Sequence, residues 1–299
     1  MMTPKPVLLI GNGINNIQSQ YKWKDLVDEL VRAVGATRHI RLGNKPFPLL
    51  YEEIVAHAVR KRGKPESEIK SFIADRVSRF LPNEIHTRIM GLGVKNILTT
   101  NYDHTLEMSG NAQDSRMFRN AGVVKENLYS LFRFAQVRKN QVWHIHGDQN
   151  SPQSIALGYE HYSGYLQRMR NYVIMGTEKA YTRQFDSLEA RLRKGAVTFD
   201  SWVDFFFTDN IYVVGLSLDF IEMHLWWLLT YRARRKYLGR LPLKNRITYF
   251  YPTRFRSEIR DKLELLQAND VVTRAVSFKS GNWLSYYNQV LDQVERGVN

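Results

Sequence analysis

The sequence predicts an α/β protein with a doubly wound, mostly parallel sheet. Three features carry that expectation. Short apolar runs alternate with stretches of helical periodicity along the chain. The runs are continuous, as expected of parallel strands buried on both faces. Chemically capable residues stand directly after four of them, where open α/β sheets bind ligands.

Taken in order, Val7-Leu8-Leu9-Ile10 forms the first strand, stopped by Gly11. Trp23, Leu26, Val27, Leu30, Val31 and Val34 recur at helical spacing and predict a helix over 22–34. Ile69, Phe72, Ile73, Val77 and Phe80 predict a second helix that stops near Pro82. Residues 96–100, 142–146, 211–214 and 246–251 supply strands two to five. A mostly helical insertion over 159–207 separates the third from the fourth. A helix over 222–235 carries Leu225, Trp226, Leu228 and Leu229, for the core or a subunit interface. The last helices span 257–267 and 283–294. No repeat, low-complexity tract or linker-like stretch interrupts the chain, so residues 1–299 read as a single domain.

A hydrophobic fraction of 43% and a charged fraction of 24% are those of an ordinary globular protein. The absence of cysteine excludes disulfides, thiolate zinc sites and a cysteine nucleophile. It fits a reducing compartment. The N-terminus carries no secretory signal pattern, and Asp219, Glu222 and His224 interrupt the most apolar stretch, residues 211–229. A cytoplasmic protein without a membrane span is therefore expected. The net charge of +14 concentrates at Arg60-Lys61-Arg62, Arg191-Leu192-Arg193-Lys194 and Arg232-Ala233-Arg234-Arg235-Lys236. Such clusters attract polyanions. They also suit helix C-termini, where the dipole favours cations. They are not interleaved with aromatics as a base-stacking platform would be.

Four strand-end segments carry the chemistry. Gly11-Asn12-Gly13-Ile14-Asn15 follows the first run. Its glycines let backbone approach a pyrophosphate, and a helix N-terminus behind them offers free N–H groups. The third glycine of the usual dinucleotide fingerprint is Asn16, and a plain strand-to-helix turn is the other reading. Thr100-Asn101-Tyr102-Asp103 follows the second run. The Asn101 amide both donates and accepts, which suits a carboxamide, a ribose hydroxyl or a water. An asparagine helix cap followed by an acidic first turn reads equally well. The third run ends in His146-Gly147-Asp148. If that strand alternates, His144 and His146 share a face. His146, at the end, suits a general base, and His144, deeper, a structural role. No glutamate is spaced to complete a metal site with the pair. Gly215-Leu216-Ser217-Leu218-Asp219 follows the fourth run. It lacks the second glycine of a nucleophile elbow, so Ser217 suits a nucleotide contact better than a nucleophile.

The order of these pieces resembles the sirtuin superfamily. Its members carry a G-A-G-I-S-like loop, then T-Q-N-I-D, then a histidine before glycine, then G-T-S. Here the corresponding residues are Gly11 to Asn15, Thr99 to Asp103, His146-Gly147 and Gly215 to Ser217. The G-N-G-I-N spelling and the stretch Asp219 to Leu229 resemble bacterial sirtuin-like NAD hydrolases of anti-phage defence. The resemblance implies a Rossmann-like, sirtuin-type fold with NAD as substrate. It implies catalysis by His146, Asn101 and Asp103. NAD contacts would come from Gly11, Asn12, Gly13, Asn15, Thr100, Gly215, Ser217 and Asp219. It also implies an NAD-depleting effector of abortive infection, triggered by a partner or by assembly. Two departures count against protein deacylation: the four cysteines of the deacylase zinc module are missing, so no zinc is expected, and Thr100 replaces the glutamine. An aromatic content of 12% with Trp226-Trp227 suits a homo-oligomer as well as a core. The competing functions are a non-catalytic sensor of NAD or ADP-ribose and a basic subunit of a nucleic-acid-handling complex.

Overall fold

The computed structural model describes residues 3–17, 23–110, 122–124, 126–177, 183–279 and 281–298. Its seven strands are β1 (Pro6–Ile10), β2 (Asn96–Thr99), β3 (Ala135–Val137), β4 (Asn140–His144), β5 (Asn210–Val214), β6 (Ile247–Pro252) and β7 (Val271–Val276). They lie in the order β3-β4-β2-β1-β5-β6-β7. Every neighbouring pair is parallel except β3 with β4. Without the antiparallel edge strand this is the doubly wound, Rossmann-like order, which reverses direction between β1 and β5. The expected architecture is the one observed.

β1 sits at the centre because its side chains are apolar on both faces. Val7 and Leu9 enter one apolar cluster, together with Leu98, Trp143, Ile211 and Val213. Leu8 and Ile10 enter the other, with Ile97, Val142 and Val214. Burying each such aliphatic side chain contributes about 1.5–3 kcal/mol.

The first cluster is covered by α6 (Tyr159–Arg170), α7 (Leu188–Lys194), α8 (Trp202–Thr208), α9 (Met223–Tyr237) and α10 (Arg260–Ala268). The second packs on α4 (Glu84–Gly91), α5 (Thr105–Ser109) and α11 (Trp283–Val298). A third cluster joins α1 (Trp23–Ala33), α2 (Phe47–Arg62) and α3 (Glu66–Val77) to Tyr102, Ile155 and Leu157. These three helices lie in the chain between β1 and β2, and the cluster ties them to loops at the carboxyl ends of the strands. Within 159–207, α6 is extended by a π-helical turn at Asn171–Met175 and followed by α7 and α8.

Three expectations change. A six-residue 3-10 helix, Asn12–Ile17, stands directly after Gly11, and α1 begins only at Trp23. The turn therefore leads into a tight helical segment, not into the amphipathic helix itself. The strand expected over 142–146 begins at Asn140 and ends at His144, so His146 lies beyond it. Two strands are added. β3 has three residues, and β7 buries only Val271 and Val276, so neither forms an apolar run.

The basic clusters stand in the last turns of α2, α7 and α9, where the dipole favours them. Several are paired. Arg232 is fully buried, bonds Asp270 at 2.7 Å and donates to the Asn245 carbonyl at 2.6 Å. Lys236 bonds the same aspartate. Leu225, Leu228 and Leu229 of α9 are core, with Trp226 and Trp227 half-buried against it. Among the described residues, no helix is long and apolar enough to cross a membrane.

Candidate functional site

Two glycine loops cross where the sheet reverses direction. Gly11 donates its N–H to the Val214 carbonyl at 3.0 Å, and Gly13 to the Gly215 carbonyl at 2.8 Å. A Cβ on Gly11 would lie 2.5 Å from the Leu216 Cα and 2.6 Å from the Gly215 oxygen. A Cβ on Gly13 would lie 2.8 Å from that same oxygen. Gly215 has φ +67°, a left-handed backbone that favours glycine. Close packing therefore demands glycine at 11 and 13, and backbone conformation favours it at 215.

A buried polar chain ties the first loop to the second. Asn83 caps α4: its side chain accepts from the N–H of Ile85, and its own N–H donates to His86 Nδ1 at 3.0 Å. With Nδ1 accepting, the Nε2 of His86 carries the proton and donates to Asn15 Oδ1 at 2.8 Å. Burial holds His86 down at about 4, which keeps it neutral. The amide of Asn15 then donates to Asn12 Oδ1 and to Asp103 Oδ2, both at 2.8 Å. The other oxygen of Asp103 accepts from the N–H of Thr105, at the first turn of α5. Asp103 is thus a strut between two strand-end loops.

Asn101 stands beside this strut. Its main-chain N–H donates to Thr99 Oγ1 at 3.0 Å. Its carboxamide is buried, and neither the oxygen nor the nitrogen has a hydrogen-bond partner among the described residues. An orphaned buried polar group costs about 1–3 kcal/mol.

The two histidines of the third segment part company. His144 faces α5, with Nε2 2.6 Å from Glu107 Oε1 and Nδ1 2.8 Å from the Asn101 carbonyl. Two acceptors make it an imidazolium. Burial opposes the charge, but Glu107 outweighs it through attraction and hydrogen bonding, and the pKa rises to about 9. Glu107 stays ionised despite its burial because His144 faces it. His144 therefore holds structure, as its depth in the strand implied. His104 adds a third ligand atom, so that His104, Glu107 and His144 place one each within 4.8 Å of one another. Both nitrogens of His144 are nevertheless spent.

His146 does not share that face. The chain leaves the strand after His144 and turns at Gly147, φ +90°. His146 points to α9, with Nε2 2.9 Å from Nε2 of His224. Tyr162 meets it edge-on at 5.7 Å. Burial alone lowers its pKa to about 3, so the ring is neutral.

These parts enclose a cavity of about 460 Å³, within the range of small-molecule sites. Of the expected residues, Asn12, Gly13, Thr100, Asn101, Asp103, His146, Gly215, Ser217 and Asp219 line it. Gly11 and Asn15 do not; they hold its walls together from behind. Ser217 and Asp219 are exposed at the rim. Leu26, Phe47, Val77 and Phe80 from the helical layer add an apolar wall. A larger cavity of about 890 Å³ opens at the amino ends of the strands, beside Lys5, Lys95 and Phe199. No expected site residue reaches it.

Sequence reasoning missed Glu222, His224 and Tyr162. Glu222 lines the cavity with Oε2 buried and unpartnered. Burial, then the nearby Asp219, pushes its pKa up to about 8, so it is protonated at neutral pH. The signal was present: Glu222 and His224 are polar intrusions in the most apolar stretch of the chain. They counted there only as evidence against a membrane span.

Fold and loop crossing define an α/β protein of the Rossmann-like class. Residues 95–198 match the family model of the SIR2-like domain, which supports the sirtuin-like superfamily for this chain. The matched span contains β2, β4, Asn101, Asp103 and His146. SIR2-like domains are often NAD-using enzymes, and the match is compatible with an NAD-related activity. No curated protein matches the chain.

Proposed function

We propose that this protein is an NAD glycohydrolase that cleaves the nicotinamide–ribose bond. The observation that carries the proposal is the unpartnered Asn101 carboxamide, which faces the same cavity as His146 and the crossed glycine loops. The fit is chemical. A buried amide with a free donor and a free acceptor matches a ribose hydroxyl, a carboxamide or an ordered water. The Gly11 and Gly13 positions have no room for a Cβ because the Gly215–Leu216 backbone packs there, which holds Asn12, Gly13 and Gly215 in the cavity wall where a diphosphate would lie.

The substrate supplies a leaving group that departs as neutral nicotinamide, with the bond's electron pair on its ring nitrogen. Asn101 and Asp103 orient the nicotinamide ribose, with Asp103 held by Asn15. The glycine loops and Ser217 hold the phosphates and the adenine-side ribose. His146 accepts a proton from the water whose oxygen bonds the ribose anomeric carbon. The apolar wall of Leu26, Phe47, Val77 and Phe80 limits bulk water. The finer role proposed is NAD depletion in anti-phage defence by a homo-oligomer that an activating partner switches on. That part rests on sequence resemblance alone.

The test is incubation with NAD followed by identification of products, with Asn101→Ala run in parallel. Nicotinamide and ADP-ribose from the wild type, and neither from the variant, are the expected result. NAD that stabilises the wild type against heat but stays intact would make the protein a sensor.

A further inference from the structure

His146 has two ring nitrogens, and one of them is already committed. Its Nε2 and that of His224 lie 2.9 Å apart, so the two rings share a single proton, with one donating and the other accepting. His224 enters from the first turn of α9 and is fully buried. Tyr162 stacks on it at 5.4 Å, and Tyr165 packs beside it at 5.6 Å. Its Nδ1 is buried and makes no hydrogen bond. With Nε2 spent on this contact, Nδ1 is the only nitrogen His146 can offer the cavity.

The direction of the shared proton decides what that nitrogen can do. If His224 donates, the neutral His146 carries its proton on Nδ1 and cannot act as a base. If His146 donates, its Nδ1 holds a lone pair. We propose that His224 is a positioning residue that accepts the Nε2 proton of His146 and so fixes the tautomer whose Nδ1 faces the cavity as a base. The assignment rests on the NAD-cleaving reading, since only that reaction asks His146 for a lone pair.

In the step itself, the bond from the anomeric carbon to nicotinamide breaks and its electron pair stays on nicotinamide. A water oxygen bonds the anomeric carbon, and one water proton moves to His146 Nδ1. The resulting imidazolium keeps its Nε2 proton on the His224 lone pair until Nδ1 releases its own to solvent. The geometry resembles a base steadied by an orienting group, with a neutral imidazole in place of the usual carboxylate. A neutral partner adds no anion beside a diphosphate. Tyr162 and Tyr165 of α6 pack against the pair, and Tyr102 after β2 and Glu222 just before α9 line the same cavity as His146.

The test uses the full chain with ¹⁵N-labelled histidine. Long-range ¹H–¹⁵N correlations give the tautomer of His146, assigned through His146→Gln, while kcat and KM for NAD are measured in parallel. His224→Gln keeps an acceptor oxygen; His224→Phe keeps the ring and removes the acceptor. The expected result is an Nε2–H tautomer in the wild type, retained in His224→Gln with kcat within about threefold. His224→Phe should lose that single tautomer and at least about tenfold in kcat, inside the span of general-base catalysis, with KM within about twofold. An Nδ1–H tautomer in the wild type, or an undiminished kcat in folded His224→Phe, overturns the assignment. If the wild type releases no nicotinamide, NAD cleavage fails, and the wild-type tautomer still decides the His146–His224 arrangement.

Discussion

Asn101 shows how a single residue can set function against stability. Its carboxamide sits buried without a partner, at a cost of about 1–3 kcal/mol. Removing the amide removes that cost, so Asn101→Ala should melt at or above the wild-type temperature while losing nicotinamide release. Glu222 makes the same trade in protons. A free glutamate ionises near 4.3, whereas burial and Asp219 hold this one at about 8. Between those values the folded state keeps a proton that the unfolded state has released. Stability therefore falls as pH rises through that window, and Glu222→Gln should abolish this part of the fall. Thermal melts at about pH 5 and pH 8.5 check it: the variant should gain several degrees over wild type at the higher pH and little at the lower. Equal gains at both would contradict the assignment. At this scale the sequence pointed to Asn101 and His146 as polar residues after apolar runs, and both line the cavity. It was not legible for Asn15 or His86, whose roles depend on a hydrogen-bond chain that spans 88 positions between Asn15 and Asp103.

The decisive elements are the two loops that follow β1 and β5. Their backbones bond directly, Gly11 to Val214 and Gly13 to Gly215, so nothing larger than hydrogen fits between them. Gly11→Ala drives a Cβ into the Leu216 backbone at 2.5 Å, and no rotamer relieves it. The variant should lose about 1–3 kcal/mol, as overpacked sites do, together with NAD binding, read by melting and by calorimetry. Gly91→Ala is the control, because nothing lies within 4 Å of its Cβ position. Both substitutions add one methyl, so equal effects would show that the crossing is not tight. Interior strands were readable because burial on both faces writes a continuous apolar run, as in Val7 to Ile10. Edge strands were not: β7 carries Arg274 and exposes Val272 at 40%, and its pattern carries no period. The end of β4 was misread because Ile145 and His146 continue in sequence an alternation that the backbone leaves after His144.

Across the whole molecule, four segments separated by as many as 207 positions, from Asn12 to Asp219, line one cavity at the carboxyl edge of the sheet. The doubly wound, mostly parallel topology brings this about, and that topology was what the alternation of runs and helices foretold. The covering helical layer was not foretold. α1 to α3 form their own apolar cluster, and their contribution of Leu26, Phe47, Val77 and Phe80 to the cavity depends on packing that no local pattern records. The helix-terminal placement of the basic clusters was one of the sequence's two readings, but their pairing emerged only with the fold, since Arg232 and Lys236 meet Asp270 across 34–38 positions. In the proposed function this converged edge breaks NAD with His146 as base. It is tested most directly by nicotinamide release from wild type and His146→Ala at saturating NAD, with binding followed by calorimetry. Binding retained and turnover reduced by about 10²–10⁴-fold, the span of general-base catalysis, is the expected result; release by the variant near the wild-type rate would contradict it.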